Sequence, residues 1–190
     1  MELILIRHGR PERIDHDPSG ADPALTELGH LQAKAMAEYL QRESIDSLYV
    51  SPQLRALETA APLADMTGLE PIVVDGVAEF DLGHTSYVPG EEAPPISAAA
   101  LQQLLDTVTG PHFSERVIGS LEWIIEQNAG STAAVVCHGG VISRYLSEIL
   151  ITDPSTYYDA AYTSVTRVRA SRTGRRSMTS FNESHWLRSL

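Results

Sequence analysis

Two periods of apolar residues alternate along the chain. Leu3–Ile6 is an unbroken apolar run of strand length, the pattern of a strand covered on both faces. A polar stretch containing Pro and Gly (9–23) follows as a loop. Leu28, Leu31, Ala35 and Leu40 then recur at helical spacing, which predicts a helix over 25–41 with Thr26 as its cap. Leu48–Val50 predicts a short second strand. Ser51-Pro52 offers an N-cap and a first-turn proline for a helix running to about Met66, and Gly68 ends it before a third strand at Ile72–Val74. Ser114 is the expected cap of a helix over 114–127 that gathers Val117, Ile118, Leu121, Ile124 and Ile125 on one face. Ala133–Cys137 predicts a fourth buried strand, and Val141–Leu150 another helix. In the tail, Tyr162–Ala170 and Arg176–Phe181 flank Ser171–Arg175, the signature of a β-hairpin.

Strands alternating with helices imply βαβ units. The expected fold class is therefore α/β, a three-layer α/β/α sandwich around a mainly parallel sheet, with the hairpin as an antiparallel edge. A chain of 190 residues fits a single domain, 1–190, and buries roughly 70% of its unfolded surface without needing a disulfide or a metal. Residues 82–110 fit neither period. They are rich in Pro, Gly and Ala, with a short helix near 97–108, and read as a lid inserted over one end of the sheet.

Charge narrows the partners. With 14 basic and 25 acidic residues the net charge is −11, which argues against nucleic acid or an anionic membrane. The balance is uneven: residues 160–190 hold six Arg and only Glu183 as an acid, which marks either a contact surface or an exposed strand face. Cys137 is the single cysteine, so neither an internal disulfide nor a Cys-rich zinc site is available. The apolar run at the amino terminus is too short for a signal peptide, and no later run reaches the ~18 residues of a membrane span. A soluble, cytoplasmic protein is expected, as a monomer or a homodimer.

Two places share one design. Leu3–Ile6 runs into Arg7-His8-Gly9, and Ala133–Cys137 runs into His138-Gly139-Gly140. In an open α/β sheet, ligands sit beyond the carboxyl ends of the strands, so histidines 130 residues apart can converge there. Glycine directly afterwards lets the backbone turn sharply and approach a ligand closely. Ser51-Pro52-Gln53-Leu54-Arg55 adds an arginine in the first turn of a helix, where free N–H groups and the dipole already favour an anion. With Arg7 and the two histidines, Arg55 can surround a phosphoryl group, since a guanidinium fork pairs with two oxygens and stays charged. Arg10 and Arg13 either reach the pocket mouth or remain solvated. No pair of histidines has metal-ligand spacing, so no metal is expected.

Taken in order, Arg7-His8-Gly9, Leu25-Thr26-Glu27-Leu28-Gly29, Ser51-Pro52 with Arg55-Ala56 and Glu58-Thr59-Ala60, Glu79-Phe80-Asp81-Leu82-Gly83 and His138-Gly139 resemble the histidine phosphatase superfamily, in its phosphoglycerate mutase-like branch. The resemblance runs from residue 3 into the Asn182–His185 tail. It implies a phosphoglycerate mutase-like fold and a phosphomonoesterase of the histidine acid phosphatase type, acting on a small phosphorylated metabolite without cofactor. His8 would be the nucleophile that forms a phosphohistidine, with Arg7, Arg55, His138 and Gly139 around the phosphoryl group and Glu79 as general acid and base. The stretch after Glu79 departs from the family, continuing His84-Thr85-Ser86-Tyr87 with no Trp. Asp81 and His84 therefore stand as alternative acids.

The family also contains mutases, and a protein that binds phosphate without turnover is a third possibility. A mutase needs extra cations for a carboxylate and a second phosphate, yet no Lys or Arg lies between Arg55 and Arg116. Glu91 and Glu92 in the expected lid would also repel a highly anionic substrate. Hydrolysis is expected, on a monoester whose leaving group is neutral, apolar or weakly cationic.

Overall fold

The computed structural model describes residues 1–190, the side chain of Ser189 excepted. One sheet contains β1 (Glu2–Arg7), β2 (Ser47–Val50), β3 (Ile72–Val73), β4 (Thr132–Cys137), β5 (Val165–Ala170) and β6 (Arg176–Glu183), in the order β3-β2-β4-β1-β5-β6. The first four in that order run parallel, and β5 and β6 form the antiparallel edge. The helices are α1 (Glu27–Leu40), α2 (Leu54–Thr67), α3 (Ala98–Thr109), α4 (Pro111–Gln127) and α5 (Gly139–Leu150).

Successive strand residues point to opposite faces, and this alternation builds the three layers. Leu3 and Leu5 join the core under α4 and α5, while Ile4 and Ile6 join the one under α1 and α2. Both cores are apolar, so an unbroken apolar run is what a strand between them requires. The α/β fold expected from the sequence is the one found.

Several local expectations change. Ser51 does not cap α2, which starts at Leu54 with Gln53 as its cap residue. The Leu54 N–H instead donates to the Asp22 carboxylate, at 2.9 and 3.1 Å. Ser114 lies inside α4 rather than at its start, because Pro111 with its fixed φ opens that helix one turn earlier. β5 begins only at Val165. Residues 160–164 form a turn in which Thr163 adopts φ +52°, and the Asn182 side-chain oxygen accepts from the Ala161 N–H at 2.8 Å.

Of the six tail arginines, two pair with acidic side chains among the described residues. Arg167 bonds Glu2 (3.1 Å), Glu43 (2.5 Å) and Glu183 (2.9 Å), and Arg176 bonds Glu122. Within 82–110, the stretch around Thr85 and Tyr87 bonds to the loop after β1 through Asp17 N–H to Thr85 C=O (2.6 Å) and a two-way pairing of Ile14 with Tyr87 (2.9 and 2.8 Å). Helix α3 buries none of its residues. Among the described residues, no helix is long and apolar enough to cross a membrane.

Candidate active site

β1 and β4 are neighbours in parallel register, with Arg7 opposite Cys137. Their carboxyl ends therefore release His8 and His138 side by side, with ring centroids 5.1 Å apart. The His8 N–H donates to the Cys137 carbonyl at 2.9 Å, which fixes the offset between the two exits. Gly9 has a steric reason: a Cβ there would stand 2.7 Å from the Gly29 carbonyl oxygen at the start of α1. Its N–H donates to Thr59 Oγ1 at 2.9 Å, and that hydroxyl donates to the Arg55 carbonyl at 2.6 Å. The loop carrying His8 and the helix carrying Arg55 are thus bonded through Thr59.

Arg7, His8, Arg55, Glu79 and Gly139 line one cavity of about 240 Å³, and His138 lies buried beside His8. His8 Nδ1 sits 2.7 Å from the Gly9 carbonyl oxygen. That oxygen can only accept, so Nδ1 carries the proton and the lone pair is left on Nε2. Burial, then Arg55 and Arg7, hold the His8 pKa well below its usual range, and the ring is neutral near pH 7. Burial and Arg55 act in the same direction on His138, whose Nε2 lies 2.7 Å from Ser51 Oγ.

Each arginine is held on one edge and free on another. Arg7 donates through Nη1 to the Ala160 carbonyl and lies 4.3 Å from the centre of the Tyr162 ring. Arg55 donates through Nη2 to both Asp81 oxygens, at 2.8 and 3.0 Å, and lies 4.7 Å from the centre of the Tyr87 ring. Arg7 Nε and Arg55 Nε and Nη1 are buried donors with no hydrogen-bond partner among the described residues. Buried donors left unmade are costly, so a cluster of them in a cationic cavity is suited to a multivalent anion.

Glu79 occupies the same wall. Its Oε2 accepts from the Gly140 N–H at 2.8 Å, in the first turn of α5. Burial first, and the neighbouring Asp81 charge second, push its pKa up to about 7. Of the alternative acids, Asp81 has both oxygens committed to Arg55, and His84 is exposed and outside the cavity lining. Arg10 pairs with Glu91 (2.9 Å) and Glu92 (2.8 Å), which offsets one of their two negative charges. Arg13 pairs with Asp15 at the surface.

Residues missed in the sequence also belong here. Ser51 was read as a cap. Gln53 accepts from the Glu79 N–H (2.7 Å) and donates to Asp81 (2.9 Å). Gly140 lies against Glu79, where a Cβ would come within 2.4 Å of Oε1. Tyr87 and Tyr162 cover the two arginines. Gln53 sits inside a motif already singled out, and Gly140 follows a glycine already named. The tyrosines had no local signal. Cys137 is buried with its thiol pKa raised, as a small core residue should be.

Fold and cavity together define an α/β enzyme with a cationic site at the carboxyl ends of its strands. The chain belongs to the histidine phosphatase superfamily, branch 1, whose family model matches residues 3–183. It is 31% identical over 175 residues to phosphoserine phosphatase 1 of Hydrogenobacter thermophilus, covering 83% of this chain and 80% of that one. The structure of phosphoserine phosphatase from Entamoeba histolytica in complex with 3-phosphoglyceric acid superposes with a TM-score of 0.78 at 27% identity, covering 98% of each chain. A mycobacterial glucosyl-3-phosphoglycerate phosphatase shares the fold, at TM-score 0.78 and 21% identity over 96% of this chain and 99% of that one. Within the superfamily, this chain is a phosphomonoesterase.

Proposed function

We propose that the chain hydrolyses phosphate monoesters of small metabolites through a phosphohistidine on His8. The observation that carries this reading is the pinned His8 ring: Nδ1–H is spent on Gly9, so a neutral Nε2 lone pair remains beside the free arginine donors. Nε2 attacks phosphorus in line with the ester oxygen, and the P–O bond to the leaving alcohol breaks as the N–P bond forms. Arg7, Arg55 and His138 hold the equatorial oxygens, where transition-state charge is spread. Glu79, protonated at pH values below about 7, gives its proton to the leaving oxygen. Its carboxylate then takes a proton from the water that attacks the phosphohistidine, which releases phosphate and restores both groups.

The wall beside Glu79 supports a leaving group without negative charge. Phe80, Ser86, Tyr87, Val88 and Tyr157 line it, and the cavity's only cations are the two arginines assigned to the phosphoryl group. Among the described residues the cavity lining supplies no further cation for a carboxylate or second phosphate, and Arg116, beyond Glu79, has its Nη1 committed to the Asp75, Gly76 and Ala78 carbonyls, which favours hydrolysis over a mutase reaction. Residues 82–110 serve as the lid, in which Tyr87 covers Arg55 while Glu91 and Glu92 tie the segment to Arg10. A freely diffusing cytoplasmic substrate suits this site, and the net charge of −11 gives nucleic acid and anionic membranes no foothold.

The test is phosphate release from p-nitrophenyl phosphate in excess EDTA by wild type and His8→Ala. Turnover by wild type alone, with no loss to EDTA, is expected. Equal turnover by His8→Ala, or wild-type activity lost with the chelator, would overturn the reading.

A further inference from the structure

Glu79 and Asp81 stand two residues apart on one wall of the cavity and bond in different ways. Glu79 has a backbone N–H on each carboxylate oxygen, from Gly140 (2.8 Å) and Phe80 (3.1 Å), and no cation bonded to it. Asp81 takes the Arg55 Nη2 group on both oxygens and the Gln53 amide on Oδ1. Arg55 is 1% and Asp81 13% exposed at the side chain, so this pair sits where water screens it least. A guanidinium is planar and rigid, and holding its Nη2 corner therefore sets the direction in which Nε and Nη1 point. Those are the two Arg55 donors that remain unbonded and buried. Gln53 completes the arrangement by bonding Asp81 with its amide nitrogen and the Glu79 backbone with its oxygen, which fixes the spacing of the two carboxyl-bearing residues.

We infer that Asp81 is a positioning residue for phosphoryl transfer, clamping the Arg55 fork toward the phosphoryl oxygens and keeping a negative charge beside the proton that Glu79 donates. The inference rests on the assignment of Glu79 as the acid. The other groups facing Glu79 are Arg55 from α2, Arg116 from α4, Cys137 and the Gly140 N–H at the β4–α5 junction, and Tyr87 and Tyr157 from the flanking loops. His8, in the same cavity, and His138, buried beside it, are neutral near pH 7. Asp81 is thus the one neighbouring acid among them, and it is the second cause, after burial, of the raised Glu79 pKa. Its removal also leaves the Arg55 charge unopposed. Both changes favour ionised Glu79.

The test compares wild type, Asp81→Asn, Asp81→Glu and Glu79→Gln on p-nitrophenyl phosphate and on β-glycerophosphate, whose alkoxide leaves poorly and needs the acid. For Asp81→Asn, the alkaline limb of kcat moves to lower pH by about one unit, and KM rises several-fold as the Arg55 fork loosens. Asp81→Glu keeps the charge but displaces the fork, so the limb stays near its wild-type pH while KM remains raised. A merely structural role would lower the unfolding temperature without separating these two readouts. An unmoved limb and an unchanged KM in Asp81→Asn overturn the inference. Selective loss of β-glycerophosphate turnover in Asp81→Asn but not in Glu79→Gln would make Asp81 itself the acid. A wild-type alkaline limb in Glu79→Gln would overturn the Glu79 assignment whatever Asp81 does. Should Asp81→Asn fail to fold, Gln53→Ala cuts the amide bridge alone, and it must raise KM for the inference to stand.

Discussion

Glu79→Gln removes an ionisation while nearly preserving a shape, and its effect on stability can be worked out from the burial of the carboxyl group. In the unfolded chain Glu79 titrates near its ordinary 4.5, and in the folded protein near 7. Between those values the native state holds a proton that the unfolded state has released, so wild-type stability falls as pH rises through this window. At about 1.4 kcal/mol per pH unit, the full penalty is about 3 kcal/mol; it is complete by pH 8 and under about 1 kcal/mol at pH 5. Glutamine never ionises and escapes it. Any fixed cost of the amide, such as a poorer partner for the Phe80 N–H, is the same at both pH values and cancels in the comparison. His8 and His138, whose pKa values are depressed, cost stability as pH falls below 6.5, but equally in both proteins. Relative to wild type, the variant should therefore gain about 2 kcal/mol between pH 5 and pH 8, or roughly 4–8 °C in unfolding temperature for a chain of this size. Urea and thermal unfolding at the two pH values measure it. A wild-type-to-variant difference that does not change with pH would show that Glu79 ionises normally, and the acid role would lose its physical basis.

Two further outcomes follow from contacts elsewhere. Gly140→Ala puts a Cβ within 2.4 Å of Glu79 Oε1 and 3.0 Å of its carboxyl carbon, so the acid must move; kcat on β-glycerophosphate should fall about 10- to 100-fold while the protein stays folded, since alanine suits a helix better than glycine, and an unchanged kcat would refute the contact. Arg167→Ala leaves Glu2, Glu43 and Glu183 facing one another without their common cation. It should cost about 2 kcal/mol at pH 7 in urea unfolding at low salt and less at high salt, which screens the repulsion among the three, and a loss independent of salt would rule out that repulsion as the cause.

Strands buried on both faces declare themselves in sequence because each residue must be apolar whichever way it points; Leu3–Ile6 and Ala133–Cys137 were legible for that reason. The residues at their carboxyl ends were legible because a glycine after a strand-end histidine has few other uses. Ser51 was misread because Ser-Pro before a helical pattern is a good cap by local rules, and the partner that claims its hydroxyl, His138, lies 87 residues away. Residues 162–164 read as strand because Tyr162, Thr163 and Val165 favour one, but the turn there carries the Ala160 carbonyl to Arg7, and its Thr163 N–H donates to the His8 carbonyl at 3.2 Å. Tertiary bonds of this kind override propensity, and no window of sequence contains them.

The choice between Glu79 and Asp81 shows the same limit in sharper form. Both are carboxylates, two residues apart, beside the same arginine, and composition cannot rank them as acids. Environment does. Asp81 meets the guanidinium directly, and an ionised carboxylate is what that contact stabilises. Glu79 is buried against α5 beside the Asp81 charge, and these raise its pKa to about 7 against the opposing pull of its two backbone N–H partners and of Arg55, so it still holds its proton where an ordinary carboxyl group has lost it. On the proposed mechanism, Asp81 aims an arginine and Glu79 carries the proton that meets a leaving group. Burial does most to keep that proton and the Asp81 charge adds to it, while Arg55 pulls the other way, so the ion pair that holds the guanidinium also shields Glu79 from it.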